Sequence, residues 1–546
     1  MESASMERPW YRSYGTIPHQ LAEKPAPLYS VLEGHDPATV ALILNDVSLT
    51  YGTLWEQTAR VAAALADHGV GVGDRVALLL PNSFGFVQMY FGALRRGAVV
   101  VALNPLYTTS ELVGLLLDAQ PKLLVVPVEA LEKLPPGLPF GVIFADIWGN
   151  PEREREAAEA YSGAMCLSDW LAHGPTQWED HAVNPEHDLA VLQYTGGTTG
   201  TPKGAMLTHW NLLSNAFQAR WWMRPILETD QQHGVLIGLP MFHVYGMTVG
   251  MNLGLSIGAR LILLPRFTPE SAVEAVKHHS PTLFPGAPTM YVALEAHARH
   301  SQVDLSSIRG CLSGSAPLPV SVQESFERAT GGKLVEGYGL SEASPVTHCQ
   351  PLWGVTRKSG IGLPFPDTDA RIVDDQGHEV PIGERGELLV KGPQVMQGYW
   401  NRPEETKYTL RDGWLWTGDV AVMDADGYFQ IVDRKKDLII CSGFNVYPRE
   451  VEDVLYGFPG VLEASVVGIP DPYRGETIKA YVVARPQALL DLDELTAYCR
   501  QHLAGYKVPR FYEVVDSLPK SAVGKILRRV LRDRDPDSNP TSPGTP

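Results

Sequence analysis

Cysteine is scarce in this sequence. Five occur in 546 residues, Cys166, Cys311, Cys349, Cys441 and Cys499, and no two stand at CxxC or metal-ligand spacing. That excludes a disulfide scaffold and a cysteine-built metal site, and predicts reduced thiols in a cytoplasmic protein. Positive charge is short as well: 45 Lys and Arg face 62 Asp and Glu, a net charge of −17. No nucleic-acid partner is expected of such a chain, although a local basic cluster can still hold a small anion. The opening stretch, MESASMERPWYRSYGTIPHQ, carries no apolar signal core. The nearest approach to a membrane span, His243 to Ala259, contains Asn252 and stops at Arg260. A spanning helix needs about 20 apolar residues. The recurrence of Gly246, Gly250, Gly254 and Gly258 predicts instead a buried helix pressed closely on a sheet.

What is present is an ordinary globular mixture, 44% hydrophobic and 20% charged. The first part of the chain alternates helical and strand patterns. Helices are expected over Thr53–Gly69, Gly85–Arg96 and Ser110–Ala119. Short apolar strands are expected over Arg75–Leu80, Ala98–Leu103 and Lys122–Val126. This rhythm predicts an α/β fold with a parallel sheet covered by helices. It resumes at Leu189–Gln193, Gly234–Leu239, Leu261–Leu264, Thr282–Phe284 and Arg309–Leu312. From about Gly360 the texture becomes short strands and turns, a small β-rich lobe. Asp424-Ala425-Asp426-Gly427 reads as a hairpin turn between Asp419–Met423 and Tyr428–Val432. After Asp433-Arg434-Lys435-Lys436-Asp437 comes a compact α+β pattern, with Pro448 suited to a first helical turn. The expected division is a large N-terminal domain over 1–435, a small mobile C-terminal domain over 436–534, and a disordered tail over 535–546.

The chemistry starts at Tyr194-Thr195-Gly196-Gly197-Thr198-Thr199-Gly200-Thr201-Pro202-Lys203-Gly204, which follows a buried strand. Glycines let the backbone wrap an anion with its N–H groups, threonines add hydroxyl donors, and Lys203 adds charge. It reads as a nucleotide-phosphate loop without the Walker A spacing, the plainer alternative being a flexible Thr/Gly turn. Thr208 is placed to cap a following helix through Arg220. Gly69-Val70-Gly71-Val72-Gly73 is glycine-rich too, but it precedes a strand, so it reads as a helix stop and turn.

With this loop the sequence resembles the adenylate-forming superfamily of acyl-CoA synthetases, luciferases and peptide-synthetase adenylation domains. Further motifs follow in the family's order: Pro240-Met241-Phe242-His243-Val244-Tyr245-Gly246, Glu336-Gly337-Tyr338-Gly339-Leu340-Ser341-Glu342 and Gly413-Trp414-Leu415-Trp416-Thr417-Gly418-Asp419. Then come Asp433-Arg434-Lys435-Lys436-Asp437, Ser442-Gly443-Phe444-Asn445-Val446-Tyr447-Pro448 and Pro519-Lys520-Ser521-Ala522-Val523-Gly524-Lys525. Within the family the chain looks most like bacterial long-chain fatty acid–CoA ligases; Gly398-Tyr399-Trp400 and Asn104-Pro105-Leu106-Tyr107 share that character. The resemblance implies two steps. A fatty acid and ATP give acyl-adenylate and pyrophosphate, and coenzyme A then displaces AMP, with the C-terminal domain swinging between steps.

The same resemblance implies the roles. Thr195, Gly196, Gly197, Thr198, Thr199, Gly200 and Lys203 would hold phosphates, and Thr195 and Glu342 would face Mg²⁺. Glu336, Gly337 and Tyr338, with Ser315 and Ala316, match the adenine pocket, and Ser341 would bond the α-phosphate. Asp419 and Arg434 would grip the ribose. His243 would lie between the ATP and acyl pockets in a positioning or electrostatic role, since a fatty acid is already ionised near neutral pH. Lys525 would reach the adenylation site, where an ammonium offsets charge that builds on phosphate. Lys436 is the expected hinge, and Ser442 and Gly443 the expected contacts of coenzyme A. Tyr245, Met247, Met251 and Gly339 are candidates for the acyl pocket; plain core packing explains the first three as well. A homodimer and peripheral contact with the inner face of the membrane stay open as expectations. Two other readings also stay open: a ligase that loads a carrier protein from the adenylate, and a non-catalytic nucleotide-binding module in fatty-acid uptake.

Overall fold

Five helices in this chain begin where a hydroxyl satisfies an orphan N–H. Thr50, Ser83, Thr108, Thr208 and Thr268 each accept a hydrogen bond from the backbone N–H three residues on. They start the helices Tyr51–Asp67, Phe84–Arg95, Thr109–Ala119, His209–Leu227 and Pro269–His279. Gly69 and Gly73 follow the first of these at φ +73° and +75°, as a helix stop and turn require. The structure is a computed structural model, and it describes residues 8–195, 202–229, 231–354, 357, 359–441, 444–471, 473–485, 488–522 and 524–534. The tail over 535–546 therefore lies outside the described residues.

The chain divides into two compact units: Met1–Asp369 with Val390–Leu415, and Ala370–Leu389 with Trp416–Pro546. Lys436 falls inside the second unit.

The first unit holds an eight-stranded sheet. Its order is Gly398–Tyr399, Lys203–Thr208, Leu189–Thr195, Val99–Ala102, Arg75–Leu78, Leu123–Pro127, Gly141–Ala145 and Met165–Cys166. The last six run parallel, and their near-continuous apolar character matches burial on both faces. Lys203–Thr208 pairs antiparallel with Leu189–Thr195. The strands on either side of the glycine-rich segment thus pair with each other, and the helix capped by Thr208 starts only after the second of them. Further strands of this unit include Gly234–Ile237 parallel to Arg260–Leu263, and Gly310–Ser313 parallel to Lys333–Gly339. Thr282–Phe284 is no strand: only Leu283 bridges, to Val235 and Gly310. Pro281 and Pro285 flank it, and neither has an N–H to extend a ladder.

In the second unit, Phe429–Arg434 pairs with Trp414–Met423 around the Asp424–Gly427 turn. A mixed sheet of Phe444–Val446, Ile439–Cys441, Gly475–Ala484, Val461–Asp471 and Phe511–Val514 follows. The helices Pro448–Tyr456 and Leu492–His502 cover it, burying Val451, Leu455, Leu495 and Cys499. Among the described residues no helix is long and apolar enough to cross a membrane.

Candidate active site

Gly196, Gly197, Thr198, Thr199 and Gly200 lie outside the described residues, but the paired strands that flank them are placed. Thr195 stands opposite Lys203 in the ladder, and its hydroxyl donates to the Lys203 carbonyl at 3.4 Å. The Lys203 ammonium lies 5.3 Å from the centre of the Tyr399 ring. Tyr399 pairs with Ala205 on the same hairpin, and its hydroxyl donates to Glu342 Oε1 at 2.7 Å. One tyrosine therefore joins the phosphate hairpin to the carboxylate expected at the metal. Burial and the adjoining carboxylate push the Tyr399 phenol well above its ordinary pKa. Its own motif, Gly398-Tyr399-Trp400, gives no sign of this role, because nothing local reveals a partner 57 residues away in the chain.

Among the described residues, no group of three or more His, Cys, Asp or Glu stands ready to hold a metal by itself. Mg²⁺ keeps several waters and is bound through one or two carboxylates together with substrate phosphates. Glu342 and the Thr195 hydroxyl are donors of that hard-oxygen type.

The adenine candidates line the ends of two parallel strands. Ser313 pairs with Glu336, placing Gly314 and Ser315 beside Gly337 and Tyr338. Glu336 is buried, and its Oε2 accepts the Leu318 N–H at 3.3 Å, so it fastens the turn that carries Ser315 and Ala316. Ser315 sits at φ +68°. Tyr338, half-buried, pairs with His348. A Cβ on Gly339 would lie 2.0 Å from the Pro345 carbonyl oxygen, which explains why this exposed position carries no side chain. Ser341 and Glu342 share the short 3-10 turn Ser341–Ala343.

His243 is positioned by two buried amides. Asn82 donates to the carbonyls of Ile237, Leu239 and Leu264 and accepts the Met241 N–H at 2.7 Å. Gln193, on the strand that enters the phosphate hairpin, donates to the Phe242 carbonyl at 3.2 Å. His243 Nδ1 accepts the Tyr245 N–H at 3.2 Å. The expected glycine-rich helix is a π-helix, Gly246–Asn252, continued as α-helix over Leu253–Ser256. Gly250 and Gly254 face the sheet, and Gly246 the segment that follows strand Gly234–Ile237. A Cβ on Gly246 would lie 2.3 Å from the Pro240 carbonyl oxygen, and one on Gly254 would lie 2.5 Å from Leu261. Tyr245, Met247 and Met251 are buried, and the Tyr245 hydroxyl donates to the Leu312 carbonyl.

In the second unit, strand pairing sets Asp419 opposite Arg434, and Arg434 Nε lies 3.1 Å from Asp419 Oδ1. Asp419 is only 4% exposed, so its partner matters. Lys525 lies in the same group. Its burial, reinforced by the charge of Arg434 and opposed by Asp419, holds its ammonium down to a pKa of about 7. Lys436 is exposed on the turn Lys435–Asp437. Ser442 and Gly443 lie outside the described residues.

Residues 33–400 match the AMP-binding enzyme family, and 450–525 match the AMP-binding enzyme C-terminal domain. The chain belongs to the AMP-binding enzyme family. A long-chain-fatty-acid–CoA ligase of Bacillus subtilis (strain 168) is 45% identical, over 98% of this chain and 99% of its own. A feruloyl-CoA synthase of Amycolatopsis sp. is 40% identical, over 91% of this chain and 96% of its own. Among solved structures, ATP-bound MatB from Rhodopseudomonas palustris superposes with a TM-score of 0.82 at 31% identity, covering 94% of this chain and 100% of its own. For an AMP-binding enzyme of this CoA-ligase type, ATP and coenzyme A are the expected co-substrates.

Proposed function

We propose that this chain is an AMP-forming long-chain fatty acid–CoA ligase. The observation that carries the reading is 45% identity, along 98% of the chain, to a relative named for that reaction. In the first step a carboxylate oxygen attacks the α-phosphorus of ATP. The bond to the pyrophosphate oxygen breaks, and an acyl-adenylate forms. In the second step the sulfur of coenzyme A attacks the acyl carbonyl, its thiol proton is lost, and AMP leaves.

The first step needs no general base, because a fatty acid resembles a Glu side chain and is ionised near neutral pH. His243 is then free to orient the carboxylate. Lys203 and the loop N–H groups hold the β- and γ-phosphates, and Lys525 offsets charge on the α-phosphate and the departing pyrophosphate. Thr195 and Glu342 would hold Mg²⁺, which neutralises phosphate charge when bound. Glu336, Gly337, Tyr338, Ser315 and Ala316 form the adenine pocket. Asp419 supplies two acceptor oxygens for the ribose hydroxyls. The acyl chain gains about 0.8 kcal/mol for each methylene it buries, so an apolar pocket favours long chains strongly. Such a substrate partitions into lipid, and peripheral contact with the inner membrane face would serve its supply.

The test is pyrophosphate release across a fatty-acid length series, with ferulate included, with and without coenzyme A. Long-chain acids should release pyrophosphate and, with coenzyme A, give a thioester. Adenylate without thioester would favour a carrier-loading ligase. Nucleotide binding with no pyrophosphate from any acid would favour a non-catalytic module. Preference for ferulate over every fatty acid would replace the substrate assignment.

A further inference from the structure

The second unit contains a guanidinium that the mechanism above does not use. Arg528 opens the short helix Arg528–Arg532. It grips Glu452 with two nitrogens, Nη2 at 2.5 Å from Oε2 and Nε at 3.2 Å from Oε1. Its Nη1 lies 3.3 Å from Asp437 Oδ2 and 3.5 Å from Asp433 Oδ1. The three acids come from three elements: the strand Phe429–Arg434, the turn Lys435–Asp437 and the helix Pro448–Tyr456. Their side chains are 1%, 14% and 11% exposed for Asp433, Asp437 and Glu452.

Each end of this cluster is tied to backbone. Asp433 accepts the N–H groups of Arg434 and Arg449 at 2.7 and 2.8 Å. Glu452 accepts the N–H of Val466 at 2.8 Å. On the other side, Arg528 follows the segment that bears Lys525. Ser521 N–H donates to the Lys525 carbonyl at 2.8 Å, Lys525 N–H donates to Ser521 Oγ at 3.2 Å, and Leu527 N–H donates to the Pro519 carbonyl at 2.8 Å. Ile526, Leu518 and Leu531 pack with Val467, Tyr481 and Val483 beneath it. The segment that bears Lys525 thus leads directly into Arg528, which is ion-paired with Asp433 at 3.5 Å. Asp433 in turn adjoins Arg434, the partner of Asp419.

We propose that Arg528 is a positioning residue for adenylation, setting the Lys525 turn at a fixed place relative to the Arg434–Asp419 pair. The inference rests on the reading of Lys525 as an adenylation residue. A guanidinium suits the task because its planar fork fixes direction as well as charge.

The experiment uses the full-length enzyme and Arg528→Gln, Arg528→Lys, Lys525→Ala and the double variant Lys525→Ala with Arg528→Gln. Two rates are read: pyrophosphate release without coenzyme A, and thioester formation from a supplied acyl-adenylate. Arg528→Gln should slow pyrophosphate release on the order of a hundredfold, the cost of misplacing a catalytic group by about an ångström. Thioester formation should hold at the wild-type rate, which also reports a folded protein. Arg528→Lys, which keeps the charge and loses the fork, should fall between. In the Lys525→Ala background Arg528→Gln should cost nothing more, since the group it positions is gone. Wild-type pyrophosphate release in Arg528→Gln would overturn the proposal. So would equal loss of both rates, or an undiminished loss in the Lys525→Ala background. Failure of the underlying reading shows separately, as a wild-type enzyme that makes no acyl-adenylate.

Discussion

Lys525 is the residue whose charge is most finely balanced. Its pKa of about 7 means that the ammonium fraction falls as pH rises through neutrality in the nucleotide-free enzyme. If the ammonium offsets phosphate charge, kcat/KM for ATP in the pyrophosphate-release assay should fall as pH rises through about 7. The inflection in kcat should sit higher, because bound phosphates favour the charged lysine. Lys525→Arg should remove the inflection, since a guanidinium does not titrate in this range. Lys525→Ala should lose adenylation down to a small measurable residual rate and retain transfer of a supplied acyl-adenylate to coenzyme A. Equal loss of both reactions would reject the role. Tyr399 offers a second test at this scale. Tyr399→Phe removes the donor to Glu342 and leaves the ring beside Lys203. The Mg²⁺ concentration for half-maximal adenylation should rise roughly tenfold, the usual cost of losing a group that orients a metal ligand. Mn²⁺ binding to the enzyme–nucleotide complex, followed by electron spin resonance, should weaken in parallel; an unchanged affinity would remove Tyr399 from metal handling.

The π-helix Gly246–Asn252 and the phosphate hairpin are where elements constrain chemistry. Gly246→Ala drives a Cβ to within 2.3 Å of a backbone oxygen, whereas Gly250→Ala meets only the tip of Ile237 at 3.1 Å. Overpacking against backbone costs about 1–3 kcal/mol, while a helical Gly→Ala change returns about 0.5–1 kcal/mol where there is room. Gly246→Ala should therefore lower the denaturation midpoint of the first unit and Gly250→Ala should leave it nearly unchanged; equal midpoints would refute the close-packing account. The glycine spacing foretold this burial, but not the π geometry, which depends on what surrounds the helix. The βαβ rhythm was legible because its strands are buried on both faces and its helices start on Thr or Ser caps. Strand Lys203–Thr208 was not, since its pairing with Leu189–Thr195 and Gly398–Tyr399 is settled by residues outside its own window. At the site, Asp419 and Arg434 are brought opposite each other by a short hairpin with an Asp-Gly turn, a local feature. Tyr399 to Glu342 and Arg528 to Glu452 span 57 and 76 residues, and no pattern within one element signals either.

At the scale of the whole molecule, two steps make opposite demands on one chain. On the proposed reading, adenylation calls for Lys525 near the groups that bind nucleotide, and within the second unit Lys525 feels the charges of Arg434 and Asp419. On the same reading, thioester formation calls for that place to be given up to the coenzyme A arm. Lys436 is the expected pivot, and it lies on a short exposed turn that joins Arg434 to the strand Ile439–Cys441. A proline there fixes φ near −65° and removes an N–H, so it resists any large change of backbone at this point. Asp433, Asp437 and Glu452 meet on Arg528 across the same turn, so a swing about Lys436 has to break the contact to Asp433 while Asp437 and Glu452 keep theirs. The arrangement that proline preserves is thus the one that serves adenylation. Lys436→Pro should release pyrophosphate near the wild-type rate in a single turnover without coenzyme A, and should lose thioester formation from a supplied acyl-adenylate by tenfold or more, on the order expected when a conformational step becomes limiting. Rapid-quench measurement of both half-reactions checks this. Unchanged thioester formation would remove Lys436 as the pivot, and loss of adenylation alone would mean that the turn must move before the first step instead of after it.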